Sequence, residues 1–190
     1  MKQLVEGLTF IHSHNIMHRD LKPEDILFMN KDLESLVIAD FSLAQSVDSK
    51  PYTYPKCGTP GFVAPEIFQQ DSDYAKYSVL CDIFGAGVIY YVLLTGKPLF
   101  EKKDRKDQLE LNRKCDINLS IFSDDQLNDV EKGFLVKILS KNPEFRSSTN
   151  SFLKHNFLFL MIRQRVRQIS INSITWPCMI SIRYQFERNQ

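Results

Sequence analysis

The run His18-Arg19-Asp20-Leu21-Lys22-Pro23-Glu24-Asp25 crowds acids, bases and a proline into one short stretch. That mixture has neither the helical nor the strand period and is expected to form a loop. Before it, Leu4, Val5, Leu8 and Ile11 recur at helical spacing, so residues 2–13 are predicted to be an amphipathic helix with one buried stripe. After it, Ile26 to Met29 and Leu36 to Ala39 are short apolar runs on either side of the turn-rich Asn30-Lys31-Asp32. They are expected to pair as a small antiparallel hairpin. The charged loop therefore sits between a helix and a hairpin, and the end of the hairpin's second strand carries Asp40-Phe41-Ser42.

Further on, residues 40–66 hold no sustained periodicity and are expected to be one long loop, a length that inside a compact domain usually serves function. Residues 77–94 are almost wholly apolar and end at Gly96 and Pro98; a helix apolar on all sides belongs at the centre of its domain. Glu101 to Lys114 is a charged stretch expected on the surface as a helix. Ser123-Asp124-Asp125-Gln126 has capping-box form, followed by the helical stripe Leu127, Val130, Phe134, Leu135, Ile138 and Leu139, which stops at Asn142-Pro143. Ser148 to Leu158 is expected to be a last short helix. The predicted fold class is mainly α with a small β-hairpin.

Composition narrows the function. With 190 residues, 43% hydrophobic and 25% charged, the chain can build one sizeable core of ordinary soluble type. A formal net charge of +1 gives no overall attraction to nucleic acid or to an anionic membrane. Cys57, Cys81, Cys115 and Cys178 are scattered, without a Cys-x-x-Cys pair or metal-ligand spacing, and are expected as free thiols in a reducing compartment. Glu6 and His12 interrupt the first apolar run, so no signal-peptide core is present there. The most apolar stretch, residues 79–94, contains Asp82 and falls short of the roughly 20 residues a membrane span needs. A soluble, cytoplasmic protein with no nucleic-acid or membrane partner is expected.

Asp20 and Asp40 at the two ends of one hairpin, with Lys22 and Asp25 between them, suit phosphoryl transfer. That chemistry needs a carboxylate aimed at the attacking hydroxyl, a positioned metal and cations on the phosphates, and little covalent help. Each of these residues taken alone would be a solvated loop charge. Their order, followed by Ala64-Pro65-Glu66 one long loop later, makes the pattern specific. On these residues the sequence resembles the protein kinase superfamily over residues 1–159: the pattern H-R-D-L-K-P-E-N stands here as HRDLKPED, D-F-G as DFS, and A-P-E unchanged. Lys22 and Cys57-Gly58-Thr59-Pro60-Gly61-Phe62 resemble the serine/threonine type, above all its calcium/calmodulin-dependent group.

The resemblance implies a kinase-like C-terminal lobe that uses ATP and Mg²⁺ to phosphorylate a serine or threonine of a protein substrate. Asp20 would orient or deprotonate the hydroxyl, Lys22 would contact the γ-phosphate, and Asp25 and Asp40 would ligate the metal. Glu66 would pair with Arg146, and Asp82 would accept hydrogen bonds from the backbone of the catalytic loop. His18 would be a packed loop residue. Arg19 beside Asp20 fits a loop ordered by phosphorylation, with Thr53 as acceptor ahead of Tyr52, Ser46 and Ser49. Thr59 would lie on the substrate side, touching the catalytic loop.

Three positions depart from the family pattern. Asp25 replaces asparagine, which keeps oxygen ligands but places a further negative charge near Asp20 and is expected to raise a proton affinity there. Ser42 replaces glycine, which would cost about 0.5–1 kcal/mol if a positive φ were required. Phe84 stands where tryptophan is common. No glycine-rich loop or strand lysine precedes Met1, so the chain is expected to supply the C-terminal lobe without the N-terminal half of the ATP cleft. The alternative function is a pseudokinase or scaffold that keeps the fold and binds a protein partner. Residues 160–190 fall outside the resemblance and carry Arg163, Arg165, Arg167, Arg183 and Arg188 against the single acid Glu187. They are expected to be a flexible basic tail, or a regulatory segment for a calcium sensor.

Overall fold

A computed structural model describes residues 1–29, 35–69, 77–120, 122 and 128–153. Helix α1 spans Lys2–Ser13 and buries the expected stripe Leu4, Val5, Leu8 and Ile11. Strands β2 (Ile26–Phe28) and β3 (Leu36–Ile38) pair antiparallel, with Ile26 opposite Ile38 and Phe28 opposite Leu36. The turn between them lies outside the described residues.

Helix α3, Leu80–Thr95, is the axle of the domain: every residue from Cys81 to Val92 is buried. Gly96 ends it in the left-handed conformation, φ 66°, with its N–H donating to the Val92 carbonyl, the geometry glycine adopts at least cost. One core cluster joins α1 to this axle through Leu4, Leu8, Leu21, Ile26, Ala86 and Ile89. A larger cluster surrounds the axle's other sides and includes Tyr52, Val63, Ile67, Phe84, Phe134, Leu135 and Phe152. Among the described residues no helix is long and apolar enough to cross a membrane.

The remaining helices are shorter. Helix α4, Arg105–Lys114, starts later than the expected Glu101 because Asp104 caps it, accepting from Lys106 N and Asp107 N. Helix α5 spans Asp129–Ile138 and has its capping box at Asn128 and Glu131, each side chain bonded to the other's backbone N–H. The cap expected at Ser123 to Gln126 lies outside the described residues. Helix α6, Thr149–Leu153, is the described part of the last predicted helix.

The segment expected to be one long loop holds three short elements, the first a 3-10 turn at Phe41–Leu43. Strand β4, Gln45–Ser46, pairs antiparallel with β1, Ile16–Met17, giving a second two-stranded sheet on the other side of the charged loop. Helix α2, Pro65–Gln69, begins at the Ala64-Pro65-Glu66 motif; proline suits a first helical turn, where its missing N–H leaves nothing unpaired.

Candidate active site

The charged loop is anchored from below. Asp82, buried on α3, accepts from His18 N at 2.8 Å through one carboxylate oxygen and from Arg19 N at 2.8 Å through the other. His12 of α1 adds an Nε2–H donor at 2.9 Å. Burial alone would raise the pKa of this carboxyl, but the His12, Arg19 and His18 hydrogen bonds outweigh it and hold it below the usual value. Gly85, one turn further along α3, lets the loop pack closely, since a Cβ there would stand 3.2 Å from the Leu21 carbonyl oxygen. His18 is fully buried: its Nε2–H donates to the Ala39 carbonyl at 2.8 Å, and its ring meets Phe41 edge-on at 5.1 Å. It ties the loop to the end of the hairpin.

On this base three of the four predicted site residues converge. Lys22 Nζ lies 2.8 Å from Asp20 Oδ2 and 3.5 Å from Asp25 Oδ2. Burial would lower the pKa of the lysine, yet the Asp20 hydrogen bond and the charges of Asp20 and Asp25 raise it, so it stays an ammonium. Asp25 is pushed up to about 6, first by burial, with the charges of Lys22 and His18 opposing and those of Asp20 and Asp40 adding. The sequence anticipated a raised proton affinity from charge crowding; removal from water is the larger cause.

The fourth residue stands apart. Asp40 is exposed and adopts a left-handed backbone, φ 56°. Its carboxylate accepts from Ser42 Oγ at 2.6 Å and from Ser42 N at 3.3 Å, which lowers its pKa. No hydrogen bond or ion pair links it to Asp20, Lys22 or Asp25, although its charge acts on Asp25. The backbone brings it alongside, because Ala39 N donates to the Asp25 carbonyl at 2.8 Å. The strain foreseen at Ser42 is absent: the positive φ belongs to Asp40, and the serine hydroxyl instead holds the aspartate's side chain.

Of the two predicted metal ligands, Asp25 has a buried Oδ2 whose only close partner among the described residues is Lys22 Nζ at 3.5 Å, and Asp40 is exposed. Buried acceptors are seldom left unpaired, and hard oxygen atoms suit a magnesium ion. Among the described residues no three His, Cys, Asp or Glu side chains form a metal cluster. Magnesium is commonly held by one or two carboxylates with substrate phosphates completing its shell, so this donor set fits it.

Around the loop, Arg19 organises the segment that follows the hairpin. At φ 70°, its side chain turns inward and donates to the Leu43 carbonyl at 2.6 Å, the Tyr54 carbonyl at 3.0 Å and the Tyr77 hydroxyl at 2.9 Å. The guanidinium also lies 5.7 Å from the Tyr52 ring centroid. Tyr52 is only 4% exposed and donates its hydroxyl to the Tyr77 carbonyl, so it is a core residue and not an accessible phosphate acceptor. Thr53 is exposed. Gly58, at φ 112°, lies close against the charged loop: a Cβ there would sit 3.1 Å from the Arg19 carbonyl oxygen.

Glu66 and Arg146 form the expected pair, bidentate at 2.6 and 2.7 Å and buried. Arg146 also donates to the Ser140 and Leu80 carbonyls and lies 5.0 Å from the Phe84 ring centroid, which gives this phenylalanine a partner at the position noted for its departure. Asn112 was missed. It is fully buried on α4, accepts from Gly61 N at 2.6 Å and donates to the Val63 carbonyl at 3.1 Å, clamping the segment before α2. Its uncharged amide inside a charged run was the available signal. His12 and Tyr77 also escaped notice, since nothing local in sequence marks their partners.

The described residues thus present a carboxylate–lysine pair on a loop braced by a central helix, with a further acid at the hairpin's end. The protein kinase domain family matches residues 1–158, and the chain belongs to that family. It is 35% identical over 159 residues to calcium/calmodulin-dependent protein kinase type 1 of Caenorhabditis briggsae, covering 83% of this chain and 43% of that protein. It is similar also to serine/threonine-protein kinase 17A of Oryctolagus cuniculus, 36% identical over 162 residues, 83% of this chain and 39% of that one. Calcium-dependent protein kinase 4 of Plasmodium berghei is 31% identical over 176 residues, 92% of this chain and 32% of that one. The chain thus spans less than half the length of these relatives, and its resemblance is to the serine/threonine, calcium/calmodulin-dependent type.

Proposed function

We propose that this chain is the catalytic region of a serine/threonine protein kinase that transfers the γ-phosphate of ATP to a hydroxyl of a protein substrate. The observation that carries the proposal is the Asp20–Lys22 pair at 2.8 Å, with the second Asp20 oxygen left unbonded. The Asp20 carboxylate, 14% exposed, would accept the hydrogen bond of an incoming hydroxyl and then its proton. As the new oxygen–phosphorus bond forms and the bond to the departing diphosphate breaks, Lys22 remains cationic beside Asp20 and meets the negative charge on the transferred group. Asp25 and Asp40 would hold magnesium, which when bound neutralises charge on the phosphates. Ser42 keeps the Asp40 carboxylate in one orientation, and His18 keeps the Asp40 end of the hairpin beside the loop.

The domain assignment follows the same line: residues 1–159 form the catalytic lobe and residues 160–190 a basic tail. The tail's arginines and the calcium dependence in the names of two relatives favour a calcium sensor as its partner. An intracellular location accords with the free thiols Cys57, Cys81 and Cys115.

Transfer of labelled phosphate from ATP to serine peptides of basic, neutral and acidic sequence, by the full-length gene product, tests the reading. Asp20→Ala should lower turnover by about 10²–10⁴-fold. Equal incorporation by both proteins would remove Asp20 from catalysis, and no incorporation by either, with no magnesium-dependent nucleotide binding, would favour the scaffold.

A further inference from the structure

A groove of about 560 Å³ runs between the loop before α2 and the start of α4. Its apolar lining includes Pro60, Phe68 and Leu109, and Lys56, Arg105 and Lys106 complete it with positive charge. All three cations are exposed, and none is ion-paired among the described residues. Asp104 also lines the groove, with its Oδ1 capping α4, so the lining sets three cations against this one carboxylate. The groove adjoins the catalytic loop, since Gly58 lines it and packs against the Arg19 carbonyl, one residue from Asp20.

We propose that the groove selects the protein substrate, taking an apolar side chain on Phe68 and Leu109 and acidic side chains against Lys56, Arg105 and Lys106. The occupant is an acidic–apolar segment flanking the phosphorylated serine or threonine. The proposal rests on the kinase reading above and adds the substrate class to it. Its size matches the space that a few side chains fill. Charge complementarity at an exposed rim acts mainly on selectivity, and salt weakens it.

The experiment compares three serine peptides on the full-length protein: a neutral apolar parent, and versions with two glutamates added before or after the acceptor. One acidic version should exceed the parent in kcat/KM by on the order of tenfold, the combined effect of several exposed ion pairs. In the combined variant Lys56→Ala, Arg105→Ala, Lys106→Ala, that ratio should fall to near one, as it should for the unaltered protein in 1 M salt. A melting temperature close to that of the unaltered protein shows that the variant is folded. Ratios near one for both acidic peptides, or a preference that survives the triple substitution, would overturn the groove assignment. Fluorescence anisotropy of the same labelled peptides on Asp20→Ala protein separates the two proposals. Charge-dependent binding without any phosphorylation would sink the kinase reading and keep the groove; phosphorylation without charge-dependent binding would do the reverse.

Discussion

Asp25 shows how one substitution alters a site without removing its chemistry. The carboxylate still offers oxygen to a hard cation, with one oxygen beside Lys22, but a buried acid replaces a neutral amide and its pKa rises to about 6. The unfolded chain releases this proton near 3.8, so from about pH 4 to about pH 6 the folded state binds more protons than the unfolded one. Stability contributed at this position therefore falls as pH rises through that window and stays low above it. Asparagine has no such titration. With chelator present, the melting temperature of Asp25→Asn should gain on the unaltered protein by several degrees between pH 4 and 6.5, then level off. A difference independent of pH would show that Asp25 is not a strained acid. HRDLKPED and DFS were enough to nominate Asp20, Lys22, Asp25 and Asp40. The side-chain bond from Ser42 to Asp40 and the buried state of Asp25 were not legible, because both depend on groups brought close by the hairpin.

At the scale of elements, helix α3 and the charged loop are joined through one carboxylate. Asp82 carries a depressed pKa, so its contribution is present above the unfolded value near 3.8 and is lost as pH falls through the lower folded value. Asp82→Ala leaves the His18 and Arg19 amides without acceptors, at about 1–3 kcal/mol for each unsatisfied group. Urea unfolding at pH 7 should show that loss, and the two proteins should draw together below pH 3; equal midpoints at pH 7 would contradict the bracing role. Arg19 does similar work for the segment from Leu43 to Tyr54, and it does so through carbonyls and a tyrosine hydroxyl. Ordering of that segment is therefore expected without phosphate. Limited proteolysis of protein made without a kinase partner should cut Arg19→Ala several-fold faster near Tyr54 and Lys56, and Thr53→Ala at the unaltered rate. Faster cutting of both would restore Thr53 as an ordering residue. Helices α1 and α3 were visible as periodicity and as a continuous apolar run, whereas β1, β4 and α2 are too short to carry a period and exist through pairing and packing.

Across the whole molecule, Glu66 and Arg146 connect the start of α2 to the segment between α5 and α6. Removing one partner from this buried pair should cost roughly 3–5 kcal/mol, because the other charge is left in a dry site. Glu66→Ala with Arg146→Met should recover part of that loss, and denaturation midpoints of the single and double variants measure it. Additive losses would mean that the two charges do not act as a pair. The amino-acid sequence by itself determined the order of the motifs, the helices with a full apolar stripe and the chemical class of the loop. Those features depend on neighbours along the chain. Tertiary structure alone decided that Lys22 bridges Asp20 and Asp25, that Asp40 turns to Ser42, that Asn112 holds Gly61 and Val63, and that Tyr77 holds Arg19 and Tyr52. Each of those outcomes rests on burial and on partners distant in sequence, and desolvation strengthens a hydrogen bond or shifts a proton only after the chain has closed around it.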